Sequence, residues 1–82
     1  MTEPTAPGAA PLADLVRAAR LPPPARRKRI REKAGVSLQR MADELGVSVT
    51  SIWHWESGKD GPSLENAARY RVLLDQLEQA AS

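Results

Sequence analysis

Residues 37–57 read SLQRMADELGVSVTSIWHWES, and the spacing of their apolar positions decides what kind of chain this is. Leu38, Met41, Ala42 and Leu45 recur at i, i+3, i+4 and i+7, the pattern of a helix with one buried face. Ser37 stands before them as an N-cap, with Arg40 in place of Glu at the position that would close a capping box. Gly46 interrupts the pattern, Val47 is apolar, and Ser48 can cap a further helix in which Ile52 and Trp55 share a face. The reading is two short helices joined by a tight turn, with Gly46 supplying the left-handed dihedrals at little cost. Ala42 is small where the second helix has to cross the first.

Working outward, the triplet Pro22-Pro23-Pro24 ends whatever precedes it and opens a helix expected over Ala25–Ala34, with Gly35 as its stop. Upstream, Leu12, Leu15, Val16 and Ala19 are spaced for a short amphipathic helix within Leu12–Leu21. Residues 1–11 hold three prolines and mostly small side chains, and are read as a flexible tail to a domain spanning 12–82. Downstream, SGKDGP (57–62) reads as loop, and Ser63 opens a last helix carrying Leu64, Ala67, Ala68, Leu74 and Leu77. Nothing alternates with period two over a strand's length. The expected fold is all-α, with four or five helices.

Composition narrows the chemistry. The 82 residues form one small domain without cysteine, which removes disulfides and thiolate metal sites and fits a cytoplasmic protein. Phe is absent and the only aromatics are Trp53, Trp55 and Tyr70, too few for a large apolar ligand cavity. No apolar run approaches a membrane span, and the first residues lack the blocks of a signal peptide. The formal net charge of +2 conceals an asymmetry: the segment Arg17–Lys33 carries +7 and the rest of the chain −5. A basic segment of that density suits nucleic acid or another anionic partner, or is simply a solvated helix. Membrane-surface binding by residues 25–34 is the weakest of these, because Ile30 and Ala34 offer almost no apolar face.

A glycine-turned helix pair in a small all-α domain, beside a basic flank, is the sequence form of a helix-turn-helix. The outward positions of its second helix are Val49, Thr50, Trp53 and His54, and two large exposed side chains on so short a helix require a partner. The stretch Arg29–Glu65, RIREKAGVSLQRMADELGVSVTSIWHWESGKDGPSLE, resembles the lambda-repressor-like, or Xre-type, helix-turn-helix family, with A-G-V-S, A-D-E-L-G-V-S, W-E-S-G-K and P-S-L-E in the family's order and spacing. The resemblance implies a compact domain whose recognition helix, about residues 48–57, lies in the DNA major groove. It implies base contacts at Val49, Thr50, Ser51, Trp53 and His54, and phosphate contacts at Ser37, Leu38, Ser57 and Lys59. It also implies a salt bridge between Arg31 and Glu56.

Three positions depart from the family's pattern. Leu38 stands where Gln is frequent, leaving its backbone N–H for phosphate; Val49 can only pack on a thymine methyl; Arg27 replaces an apolar residue. Arg26, Arg27, Lys28 and Arg31 are accordingly expected to add phosphate contacts. The Trp53 indole has three uses open to it: sugar-phosphate, a dimer interface, or a neighbouring helix. His54 either reads guanine or stays unpaired in solvent, whereas Trp55 belongs to the core.

Catalysis is not expected. His54-Trp55-Glu56 matches the H-x-E fragment of zinc deaminases, but the P-C-x-x-C that completes it cannot occur without cysteine. With a single histidine and no nucleophile elbow or phosphate-cradling loop, no cofactor or metal is expected either. The expected function is sequence-specific binding of double-stranded DNA by a transcriptional regulator, repressor-like and bacterial or phage in type. A homodimer would read two half-sites, with Tyr70, Leu73, Leu74 and Leu77 as candidate dimer contacts. The alternative is a protein-binding module, such as an antitoxin or phage adaptor, that keeps the fold and engages another protein.

Overall fold

The computed structural model describes residues 9–82, with side chains from Pro11 onward, and within them contains five helices and no strand. They are α1 (Ala9–Ala18), α2 (Pro24–Lys33), α3 (Leu38–Leu45), α4 (Val49–Ser57) and α5 (Leu64–Ala81). The tail expected over residues 1–11 falls outside the described residues as far as residue 8. α1 starts at Ala9, three residues before the expected Leu12, because two alanines favour helix and Pro11 is accepted in a first turn. α2 starts at Pro24, one residue early, with Pro24 as its first helical residue.

Local chemistry fixes the other boundaries. Ser37, Ser48 and Ser63 each accept a hydrogen bond from the amide three residues on, at 3.1, 3.1 and 3.2 Å, and so cap α3, α4 and α5. α3 ends where Gly46 adopts φ 68°, ψ 34°, and the amides of Gly46 and Val47 turn back to the carbonyls of Asp43 and Ala42. That closure lets α4 leave at once in a new direction.

The core is small and continuous. Ile30, Met41, Ala42, Leu45, Ile52, Trp55, Tyr70 and Leu74 are buried together, with Leu21, Val36, Leu38, Val47, Leu73 and Leu77 packed around them. Trp55 and Tyr70 form its aromatic centre, with ring centroids 5.4 Å apart and planes tilted by 39°. α2 packs on both α4 and α5, and α3 packs on α4 and α5. Among the residues of α1 whose side chains are described none is buried, and the helix rests on α5, held where the Arg71 guanidinium donates to the Arg17 carbonyl at 2.8 Å.

Two arginines of α2 brace this core, Arg31 buried within it and Arg27 half-buried at its edge. Arg31 donates through Nε and Nη2 to the two Glu56 oxygens, at 2.6 and 3.0 Å, and through Nη1 to the Val36 carbonyl at 2.8 Å. Both residues are 8% exposed. The hydrogen bonds to Glu56 raise the Arg31 pKa above its ordinary value, against the opposite pull of burial. Arg27 donates to the carbonyls of Pro22 at 2.7 Å and Trp55 at 3.0 Å, and its guanidinium lies 5.9 Å from the centre of the Tyr70 ring. Burial lowers its pKa, with the Tyr70 phenol opposing.

These placements correct several expectations. Arg27 and Arg31 face inward and are not free for phosphate: their donors satisfy a buried carboxylate and the carbonyls of a loop and of the last turn of α4. Arg26 pairs with Glu78 of α5 at 2.8 Å, on the opposite side of α2 from the α4-facing Lys28. Tyr70 and Leu74 are 0% and 1% exposed, so neither can form a dimer contact; the tight packing of α5 on α2 and α3 uses them. Leu73 and Leu77 are half-buried and keep part of their surface.

Two outcomes follow from the buried polar groups. Removing one partner of the pair, as in Arg31→Ala or Glu56→Ala, should cost about 3–5 kcal/mol in urea unfolding, since the other charge is left buried and unpaired. The Tyr70 hydroxyl has no hydrogen-bond partner among the described residues, and burial, with the Glu56 charge adding to it, pushes its pKa up to about 12. Below pH 10 the phenol is protonated whether the chain is folded or not. Above it the unfolded chain ionises first, so stability falls as pH climbs from about 10 towards 12. Tyr70→Phe should be neutral or stabilising near neutral pH and should lose this alkaline decline, measured by denaturation across that range.

Candidate nucleic-acid interface

The second helix of the glycine-turned pair has two unlike faces. Ile52, Trp55 and Glu56 point into the protein, while Val49, Thr50, Trp53 and Ser57 are exposed. At about 100° per residue, those four outward positions lie within roughly one third of the helix circumference, so they form a single ridge. Trp53 is 58% and Val49 37% exposed. The Trp53 ring leans against His54, with centroids 5.5 Å apart and planes tilted by 37°.

The first turn of α4 is held from within. Ser48 Oγ accepts from the Ser51 amide at 3.1 Å and lies 2.9 Å from Ser51 Oγ, which keeps Ser51 half-buried and turned toward the cap. Thr50 is exposed and makes no such side-chain hydrogen bond among the described residues. At the other end Gly58 takes φ 78°, the Ser57 hydroxyl donates to the His54 carbonyl at 3.1 Å, and the same carbonyl accepts from the Lys59 amide. The Lys59 side chain stands exposed just past the helix.

Beside this ridge lies a notch of about 290 Å³ lined by Lys28, Arg31, Leu38, Trp53, Glu56 and Ser57. It unites residues from α2, α3 and α4 that lie far apart in sequence. The Arg31 and Glu56 pair belongs to its wall, and Lys28 supplies an exposed cation at its edge. Leu38, the first residue of α3, is half-buried and packs on the core. Ser37, exposed at the start of α3, has its oxygen occupied by the Arg40 amide.

Of the residues singled out in the sequence, Lys28, Leu38, Trp53 and Ser57 are brought around one notch, and Val49 and Thr50 extend the same ridge. His54, half-buried, adjoins the ridge, whereas Ser51, also half-buried, stands about 100° further round the helix from Thr50. Arg26 sits elsewhere, on the α5 side of α2. The clamp by Arg27 on the end of α4 was not anticipated; the signal available was its substitution at a position expected to be apolar. Among the described residues there is no group of three metal-ligating side chains, and no helix is long and apolar enough to cross a membrane.

A protein-family model described as helix-turn-helix matches residues 28–75, well over half of the chain. No curated protein and no solved structure matches the chain significantly. The matched span runs from Lys28 on α2 through α3 and α4 into α5, and includes the whole ridge and its notch. With five helices and a glycine-turned pair at its centre, the chain belongs to the Xre, or lambda-repressor-like, helix-turn-helix family, a family of DNA-binding regulators.

Proposed function

We propose that this protein is a sequence-specific double-stranded DNA-binding transcriptional regulator, repressor-like and bacterial or phage in type, that works in the cytoplasm on nucleoid DNA. The DNA-binding domain would extend over residues 12–82. The observation that carries the reading is the outward ridge of α4, polar and aromatic, beside a notch edged by Lys28. A helix whose inner face is core and whose outer face holds an exposed threonine, a valine and an indole is suited to a groove that presents hydrogen-bonding edges and thymine methyls.

In this reading α4 enters the major groove. Thr50 and His54 supply hydrogen bonds to base edges, and Val49 packs on a thymine methyl. Trp53, on the ridge itself, completes the base-facing set, with half-buried Ser51 further round the helix. Backbone phosphates are met by Lys28 and Lys59 as cations, by Ser37 and Ser57, and by the amide at Leu38 where α3 begins. Arg27 and Arg31 take part only by holding α2 against α4. One such helix reads too few base pairs for useful discrimination, so two copies would bind half-sites about one DNA turn apart, with α5 contributing through Leu73 and Leu77.

Base readers and phosphate readers should separate in experiment. Thr50→Ala or His54→Ala should change the sequences recovered from a random duplex pool, with losses of about 1–3 kcal/mol at the affected base pair. Lys28→Ala should weaken every duplex alike and reduce the slope of log affinity against log salt by about one. Arg27→Ala should leave that slope unchanged and lower thermal stability. If Lys28→Ala altered base preference while the α4 substitutions did not, the division of roles would be reversed. If the protein showed no duplex affinity even at low salt, DNA binding itself would be excluded, leaving protein contact as the use of the fold.

A further inference from the structure

The outward ridge of α4 carries no side chain of the kinds that read a base through paired hydrogen bonds. Guanine is read by Arg or Lys and adenine by Asn or Gln, and none of these four residue types occurs in VTSIWHWES (49–57). The one carboxylate of α4, that of Glu56, is buried and engaged by Arg31, so it does not reach a cytosine amino group. What the ridge offers instead is apolar. Val49 and Trp53 are two of the five large hydrophobic side chains exposed among the described residues, and both fall within the nine residues of this short helix.

The two stand four residues apart, so they neighbour each other on one side of α4 and lie about 6 Å apart along its axis. Thr50, exposed next to Val49, adds a methyl of its own to the same strip. The indole is braced by the half-buried His54 ring, with 5.5 Å between centroids. In the major groove the apolar group on a base edge is the C5 methyl, carried by thymine and equally by 5-methylcytosine. Base pairs repeat about every 3.4 Å, so a strip of this length covers about two base steps.

We propose that Val49 and Trp53 form a methyl-reading pair, so that α4 selects duplexes by C5-methylated pyrimidines, thymine or 5-methylcytosine, set no more than about two base steps apart. The inference rests on α4 lying in the major groove, and goes beyond that reading by naming the base feature that supplies discrimination. Each methyl buried against these side chains leaves water, which strengthens binding about three- to fivefold. A pyrimidine with hydrogen at C5 leaves a gap against the valine and the indole instead. An apolar protein surface would also cover the pair, but Lys28 at the notch beside Trp53, and the lack of an exposed carboxylate on α4, favour a polyanion.

The test starts from the tightest duplex recovered from a random pool and follows affinity for the full chain, by fluorescence anisotropy at fixed salt, as its pyrimidines are exchanged. Replacing thymine by uracil removes only the methyl. The loss is expected at two thymines close together, about three- to fivefold for each and about tenfold or more for both. With cytosine-guanine pairs at those positions, methylating the cytosines at C5 should strengthen binding by a similar factor. A methyl effect in one arm alone supports the pair and names the base that carries the methyl. In Val49→Ser and in Trp53→Ser, both exposed and outside the core, the ratio of thymine to uracil affinity should fall toward one. Uracil and unmethylated cytosine binding as tightly as their methylated forms would overturn the proposal, as would a methyl effect that persists undiminished in both variants. Duplex affinity indifferent to methyls thus removes this inference alone. Absence of any duplex affinity at low salt removes the DNA-binding reading with it and gives the apolar pair to a protein partner.

Discussion

Arg31 and Glu56 meet in a bidentate contact that joins α2 to the end of α4, and the angle at which α4 presents its outer ridge depends on it. Each group is largely removed from water, so each is tolerable only because the other is there. The third arm of the guanidinium reaches the Val36 carbonyl, which fastens the chain between α2 and α3 to the same point. Arg27 adds a second clamp on the same helix end by donating to the Trp55 carbonyl. A short helix of nine residues has little intrinsic stability. Its orientation comes from these fixed ends together with the burial of Ile52 and Trp55.

That arrangement separates the work of the basic segment into three parts. Arg27 and Arg31 are structural. Lys28 stands next to the exposed ridge of α4, at the edge of the notch that contains Trp53. Arg26, Arg29 and Lys33 lie on the α5 side of α2, near Arg17, Arg20 and Arg71. The net charge of a segment therefore says little about which partner it serves, since helix rotation alone sends neighbouring cations to opposite sides.

Exposed apolar surface is distributed in a similarly uneven way. Among the described residues, the exposed large hydrophobic side chains are Val49 and Trp53 on α4, Leu12 and Val16 on α1, and Val72 on α5. The α4 pair lies on the ridge proposed to face DNA. The others lie along α1 and α5, and none of the described side chains of α1 is buried in the core. Tyr70 carries a cost: the large ring that packs against Trp55 brings with it a hydroxyl that finds no partner among the described residues.

Much of the fold was legible in the order of residues because the signals are local. Ser37, Ser48 and Ser63 announce helix starts, Gly46 announces the turn, and the apolar spacing of α3 marks its buried face. The Arg31 and Glu56 pair was implied by resemblance to the family, not by spacing. Helix starts near proline and alanine slipped by one to three residues, since Pro11 and Pro24 are accepted in a first turn and do not mark a boundary sharply. The sequence by itself thus determined the helices, their caps and the presence of a dense positive charge. Only the tertiary structure decided where each arginine points, that Tyr70 and Leu74 are core, and that Lys28 and Trp53 share one notch. Those properties depend on which helices cross and at what rotation, and that is settled by packing between residues far apart in the chain.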